Sequence, residues 1–187
     1  MGRWEPDAAG RLREAAMALY AERGYDGTTV AEIADRAGVT ARTFFRHFAD
    51  KREVLFAGSE LLQEHMVAAL AAAPADATPM AATTTAVLAS ADFFDAIRRE
   101  YSRRRAAVIM STPELREREL IKMATLTTAL TQGLLDRGVA PDVAALAAET
   151  GVAVFRVSFE RWISAPADVP IAEVLQTTLK NLAALTS

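Results

Sequence analysis

Cysteine is absent from this 187-residue chain, which excludes a disulfide framework and any thiolate metal site. The absence fits a reducing compartment, and a cytoplasmic protein is expected. Histidine is scarce: His47 and His65 stand far apart, with no HExxH pair and no glycine-rich phosphate loop after a strand. No catalytic constellation remains, so no enzyme, no metal and no cofactor is expected. Aromatics make up only 7% while hydrophobic residues reach 51%, which describes a folded, Ala- and Leu-rich body rather than a disordered one. Long apolar runs are missing too. MVAALAAAPA is short and AALAAETGVAVF is interrupted by Glu149, so neither spans a hydrocarbon layer of roughly 30 Å. The start, MGRWEPDAAGR, has no apolar signal-peptide core. A soluble chain with no membrane partner is the expectation.

Charge of one sign is lacking as well, since the formal net charge is −3. Residues 1–56 hold nine Lys/Arg against nine Asp/Glu and are neutral, so a nucleic-acid footprint must be local. Residues 41–53 supply one: Arg42, Arg46, Lys51 and Arg52 with His47, against Asp50 and Glu53.

Good helix formers dominate between the breakers, and the pattern is all-α, with about nine helices. Leu12, Ala15, Ala16 and Leu19 recur at helical spacing, and Gly24 stands as a stop. Thr29-Val-Ala-Glu32 is a capping box for a short second helix ending near Gly38. Thr40 caps a third, ARTFFRHF. Asp50-Lys-Arg-Glu53 repeats the box and opens a long fourth helix toward Ala73, before the break PADATP. Further helices are expected at about 80–91, 93–111, 113–137, 141–164 and 170–186. Pro113, Pro141 and Pro170 sit at first helical positions, and Gly138 is a stop.

The segment TTVAEIADRAGVTARTFFRHF has the pattern of a helix-turn-helix. Ala34 is small where two helices cross, and Gly38, four residues on, tolerates a positive φ. Ile33, Ala37, Val39 and Phe44 close the corner. At about 100° per residue, Phe44 and Phe48 point inward together while Arg42 and Arg46 fall roughly opposite, with Thr43 and Phe45 on the flanks. Two guanidiniums one turn apart suit bidentate contact with guanine or phosphate. Lys51, at the start of the fourth helix, is placed for a phosphate. On charge alone, a solvated basic face reads the same way.

The run AERGYDGTTVAEIADRAGVTARTFFRHFADKREVLF resembles the DNA-binding domain of the tetracycline-repressor (TetR) family over about residues 10–57. The family pattern runs Gly-Tyr, Thr-Thr/Val, Ile-Ala, Ala-Gly-Val-Ser/Thr, Tyr-x-x-Phe-x-x-Lys, Leu. The resemblance implies a three-helix reader whose third helix enters the major groove of double-stranded DNA, in a homodimer on a palindromic operator. It implies a phosphate contact for Thr29, base edges or nearby phosphates for Thr40, Arg42 and Thr43, and backbone contacts for Phe45, His47 and Lys51. Two residues depart from the pattern. Phe45 replaces the usual Tyr and so has no hydroxyl for a phosphate, and Arg42 stands where Gly is common. Arg3, ahead of the first helix, reads either as a minor-groove arm or as a loose tail.

Beyond residue 57 periodicity replaces motif, and the expected domains are 1–56 and 57–187. Phe94, Ile97, Tyr101 and Val108 form one stripe, with Arg104 or Arg105 inside or beside it. Leu120, Met123, Thr127, Leu130 and Leu134 form a second, and Val152, Phe155, Phe159 and Trp162 a third. Each is also what an ordinary core shows, and His65 is also what an ordinary half-packed histidine looks like. RREYSRRR (98–105) holds more arginines than one face solvates easily, so at least one is expected to turn inward toward an anionic ligand. The region from STPELREREL to the late Trp is similar to the mycofactocin-regulator C-terminal type. That resemblance implies a cavity for a small hydrophobic effector, acyl-CoA-like compounds included. The candidates for it are His65, Phe94, Ile97, Tyr101, Arg105, Met123, Thr127, Leu130, Phe155 and Phe159. It also implies a four-helix dimer bundle from the last two helices, with Leu146, Phe155, Trp162, Leu175, Leu179 and Leu182 as candidate contacts. A ligand-responsive repressor is the reading that results. The alternative is a helical dimeric carrier without operator binding, against which the recognition helix, Lys51 and the helix caps all speak.

Overall fold

The computed structural model describes residues 8–94, 96–166 and 169–186, the side chains of residues 96, 97 and 186 excepted. Arg3 and the Ile97 side chain lie outside the described residues. What is described is all-α, as expected: ten α-helices and one 3₁₀ turn. They are α1 (Ala8–Arg23), α2 (Val30–Arg36), α3 (Ala41–His47), α4 (Glu53–Phe56), α5 (Ser59–Ala71), α6 (Pro79–Ala89), the 3₁₀ turn Ser90–Phe93, α7 (Ala96–Ser111), α8 (Pro113–Asp136), α9 (Pro141–Ser164) and α10 (Ile171–Thr186). Two compact units divide them. One takes the described residues up to Ala57 together with Arg104–Glu119, and the other takes the rest.

The N-terminal unit is assembled from short pieces. Leu12, Ala16 and Met17 of α1, Ile33 of α2, Phe44 of α3 and Val54 of α4 are fully buried. The long helix expected from Asp50 to Ala73 is divided. Ala57 leaves helical geometry at ψ 130°, and Gly58 follows at φ +90°, which an L side chain rarely adopts. The capping box foreseen there is partly made: the Asp50 carboxylate accepts from the backbone N–H of Arg52 (2.8 Å) and of Glu53 (3.2 Å). Arg105 and Arg118 anchor this end of the unit. Arg105 Nε donates to Leu55 O (2.6 Å) and its Nη2 to Glu119 Oε2 (2.8 Å), while Arg118 pairs with Glu53 at 2.8 Å.

The second unit is a layered bundle of longer helices. Met66, Leu70, Ala82, Ala86, Leu126, Leu130, Leu134, Ala148, Phe155 and Trp162 belong to its core. Small residues let α6 and α9 approach: a Cβ added at Gly151 would lie 2.3 Å from Thr83 Cγ2. Two expectations shift here. The helix foreseen at 93–111 begins only at Ala96, after the 3₁₀ turn. The α8 stripe also rotates, leaving Leu120 exposed and burying Leu126 instead. An arginine adds to the backbone capping at one helix end. Arg137 donates to the carbonyls of Leu70, Ala71 and Ala73, the last at 3.0 Å, and to Pro74 O at 2.6 Å, so the end of α5 is satisfied from α8's side of the bundle.

Candidate nucleic-acid interface and ligand-sensing core

The corner formed by α2 and α3 is set by its caps. Thr29 accepts from the Glu32 N–H (3.3 Å), and Glu32 Oε2 accepts from the Thr29 N–H (2.9 Å), completing the capping box. Ala37 ends α2, Gly38 turns the chain at φ +67°, and Thr40 caps α3 by accepting from the Thr43 N–H at 3.1 Å. The geometry of α3 follows the helical-wheel expectation. Phe44 is 0% exposed, and Phe48 is buried beside it with ring centroids 5.6 Å apart. Arg42, Arg46 and His47 are exposed. Phe45 is 58% exposed, its ring held edge-on to Phe44 at 5.5 Å.

Electrostatics concentrate the positive charge on that face. Arg23 pairs with Glu32 (2.7 Å), Arg36 with Glu22 (2.6 Å), and Arg52 with Asp50 (2.6 Å). The hydrogen bond from Arg36 holds the Glu22 carboxyl below the usual carboxylate range. The Thr29 hydroxyl and N–H do the same for Glu32, and the Arg52 side chain does it for Asp50. These cations are therefore neutralised locally, whereas among the described residues neither Arg42 nor Arg46 has an ion-pair partner. The α3 face therefore keeps an uncompensated positive charge.

Lys51 has a task that sequence reasoning missed. Its Nζ donates to Tyr25 O (2.8 Å) and Thr28 O (3.0 Å) and lies 4.2 Å from the centre of the Tyr25 ring. The Tyr20 hydroxyl donates back to Lys51 O at 2.7 Å. Burial, reinforced by the charge of Asp50, pushes the Tyr25 hydroxyl up to about 12, so this strut works with a neutral phenol. The lysine thus ties the loop after α1 to the segment after α3. Two of its three N–H donors are used inside the protein, and no spacing in the sequence announces that.

In the second unit several effector-site candidates meet. The Phe94 ring centroid lies 6.1 Å from Phe155, 5.4 Å from Phe159 and 5.7 Å from Trp162, and Leu130 and Met123 belong to the same apolar cluster. Thr127 and Tyr101 are half-buried on α8 and α7. His65 stands by Phe93 and bonds Asp92 Oδ2 at 3.0 Å. Arg105 is a correction: its guanidinium is committed to Glu119 and Leu55 O within the N-terminal unit, not to the aromatic cluster. The arginine that does turn inward beside the aromatics is Arg99, 3% exposed. The surplus of arginines in 98–105 signalled one such residue without saying which.

The dimer candidates divide too. Leu146 is 71% exposed, and Leu179 and Leu182 are half-buried at the edge of the core. Phe155, Trp162 and Leu175 are corrections: they are buried in the protomer's own core and offer no surface to a second copy. Helical periodicity marks an apolar face without telling which of two neighbouring faces turns inward.

Residues 12–57 match the family described as "Bacterial regulatory proteins, tetR family", and residues 77–187 match the MftR C-terminal domain. The chain is 43% identical to the HTH-type transcriptional regulator TcmR of Streptomyces glaucescens over 75 residues, 40% of this chain and 33% of that protein. It is 48% identical to the HTH-type transcriptional repressor KstR2 of Mycobacterium tuberculosis over 46 residues, 25% of this chain and 23% of that one. The aligned part is thus less than half the length of these curated relatives. Among solved structures, the TetR family regulator PfmR of Thermus thermophilus superposes with a TM-score of 0.51 at 26% identity, covering 89% of this chain and 93% of that one. The repressor FadR of Thermus thermophilus, solved with lauroyl-CoA, does so at 0.52 and 22%, covering 94% and 93%, a likeness of fold alone.

Proposed function

This chain belongs to the TetR family of bacterial transcriptional regulators, with an MftR-type C-terminal domain, and is not an enzyme; from that premise we propose that it is a ligand-responsive repressor. As a homodimer it binds a palindromic operator, and a small hydrophobic effector, acyl-CoA-like compounds included, releases it. Residues 1–56 are the reader, and 57–187 carry effector sensing and dimerisation in the cytoplasm. The observation that carries this reading is the outer face of α3, where Arg42 and Arg46, with no ion-pair partner among the described residues, stand over a buried Phe44. Arg42, Thr40 and Thr43 meet base edges or nearby phosphates, with Arg46 beside them. Thr29, Phe45, His47 and the remaining N–H of Lys51 meet the sugar-phosphate backbone. Leu146 lies on α9 with exposed Val143 and Val157, and this surface, bordered by Leu179 and Leu182, is where the second copy docks.

Two recognition helices about one turn of DNA apart occupy successive major grooves. An effector seated among Phe94, Phe155 and Phe159 favours a dimer arrangement in which that separation no longer fits. Fluorescence anisotropy with the promoter DNA flanking the protein's own gene tests this. Binding tighter than micromolar that weakens steeply with salt is expected, and weak, salt-insensitive binding would make the chain a carrier instead. Arg42→Ala should cost about 1–3 kcal/mol and relax base preference. Equal weakening on every sequence would reduce Arg42 to a phosphate contact.

A further inference from the structure

Phe45 is the aromatic side chain that the fold leaves in the open. It is 58% exposed, and among the described residues no other phenylalanine, tyrosine or tryptophan is exposed. Its ring is nonetheless fixed in direction. It stands edge-on to the fully buried Phe44, with centroids 5.5 Å apart and planes at 82°. Ala41, one turn earlier on the same flank of α3, is also exposed and is too small to cover the ring. The helix thus carries two parallel rows: an apolar one of Ala41 and Phe45 beside the cationic one of Arg42 and Arg46. The hydroxyls at the start of α3 are already partly in use, since that of Thr40 pairs with that of Thr43 at 3.1 Å and accepts from the Thr43 N–H. Apolar area held in water on a reading helix gains by being covered.

The chemistry of the major groove indicates what covers it. Base edges there present hydrogen-bond donors and acceptors, and thymine alone adds a methyl group. A phenyl ring has neither donor nor acceptor and cannot tell one polar edge from another, but it gains by covering a methyl. Bonded to C5, that methyl lies nearer its own strand's sugar than O4 does. A side chain on the flank of an inserted helix faces that wall of the groove, so one ring can meet backbone and methyl together. We infer that Phe45 reads one thymine in each half-site by packing its ring on the C5-methyl, in addition to its contact with the backbone. The inference rests on the operator-binding reading above and gives the half-site a base that no hydrogen bond specifies. A tyrosine at this position would have to aim its hydroxyl at a partner such as a phosphate or leave it desolvated. Phenylalanine is free of that constraint.

Fluorescence anisotropy of the full-length protein with its own promoter fragment tests the assignment, each thymine being replaced in turn by deoxyuridine, which lacks only the methyl. At one thymine of each half-site the replacement should weaken binding about threefold to fourfold, the worth of one covered methyl. Phe45→Ala should abolish the penalty at that position, leaving the two fragments within about 1.5-fold of each other. Low salt keeps the weaker binding of this variant measurable. Thr43→Ser, which removes a different methyl and keeps the hydroxyl, should leave that penalty in place. A second readout needs no variant: 5-iododeoxyuridine at the same position should photocrosslink to Phe45, located by mass spectrometry of the peptide that carries it. A wild-type protein indifferent to every replacement, a penalty that survives Phe45→Ala or disappears with Thr43→Ser, or a crosslink to another residue overturns the inference. Failure to bind the unmodified fragment would overturn the operator-binding reading and this inference with it, whereas binding without a thymine-specific penalty overturns the inference alone.

Discussion

The two units of this molecule are stabilised in different ways. In the N-terminal unit α2 and α3 have only seven residues each, too few to hold together alone. Caps at Thr29 and Thr40, a left-handed glycine at position 38 and a few large buried side chains supply what length does not. In the second unit α8 and α9 run for 24 residues each, and α9 begins without any side-chain cap. Packing does the work there, down to a backbone approach that leaves no room for a methyl at Gly151. Short elements must write their geometry into local chemistry, and long ones can leave it to their neighbours.

The largest effect should come from Phe44→Ala. It removes a fully buried ring from under the recognition helix and should cost about 3–5 kcal/mol in urea unfolding, abolishing operator binding. A loss below about 1 kcal/mol would mean that the caps alone hold the corner. Its counterpart in the packed unit is Gly151→Ala. In an open helix that change is favourable, but here the new methyl meets Thr83, which is buried and whose hydroxyl is held by Pro79 O at 2.9 Å. A net loss of about 1–3 kcal/mol is expected, and a gain in stability would show that α6 and α9 can part freely.

Lys51→Met sharpens the comparison within the reader. Losing the bonds to Tyr25 O and Thr28 O should cost about 1–3 kcal/mol of stability. If the third donor also serves DNA, the salt slope of operator binding falls by about one. Lower stability with an unchanged slope would make Lys51 an internal strut only. The smallest effect is that of pH. Glu22, Glu32 and Asp50 have folded values below the ordinary range, so their contribution is present above a pH of about 4 and is lost as the pH falls through those depressed values. All three are partly exposed to solvent, so the loss should be modest. Thermal melts from neutral pH to about 3 should show it, and a triple Glu22→Gln, Glu32→Gln, Asp50→Asn variant should lose that part of the acid sensitivity. A variant with the wild-type profile would remove these pairs from the account.

Legibility in the sequence differs between the units for the same reason. Capping boxes, a turn glycine and a 100° wheel are local rules, so the residue order alone places Thr29, Gly38, Thr40, Phe44 and Arg42. The break at Gly58 escaped because a single glycine inside a helical pattern is usually tolerated. Leu120, Phe155, Trp162 and Leu175 were misplaced because an amphipathic stripe fixes a face only relative to a neighbour that the sequence does not name. Of the arginines at 98–105, none is distinguished by type or spacing. Arg99 is buried, Arg103 reaches Ile163 O, and Arg105 serves the other unit.

By itself, then, the order of residues determined an all-helical chain with a basic reading helix at its N-terminal end, because those properties follow from contacts between residues three or four apart. Only the tertiary structure decided which arginine is buried, which lysine is a strut and which leucines stay exposed. Those outcomes depend on partners distant in sequence, as with Lys51 and Tyr20 or Arg99 and Pro166, and no local pattern encodes such pairings.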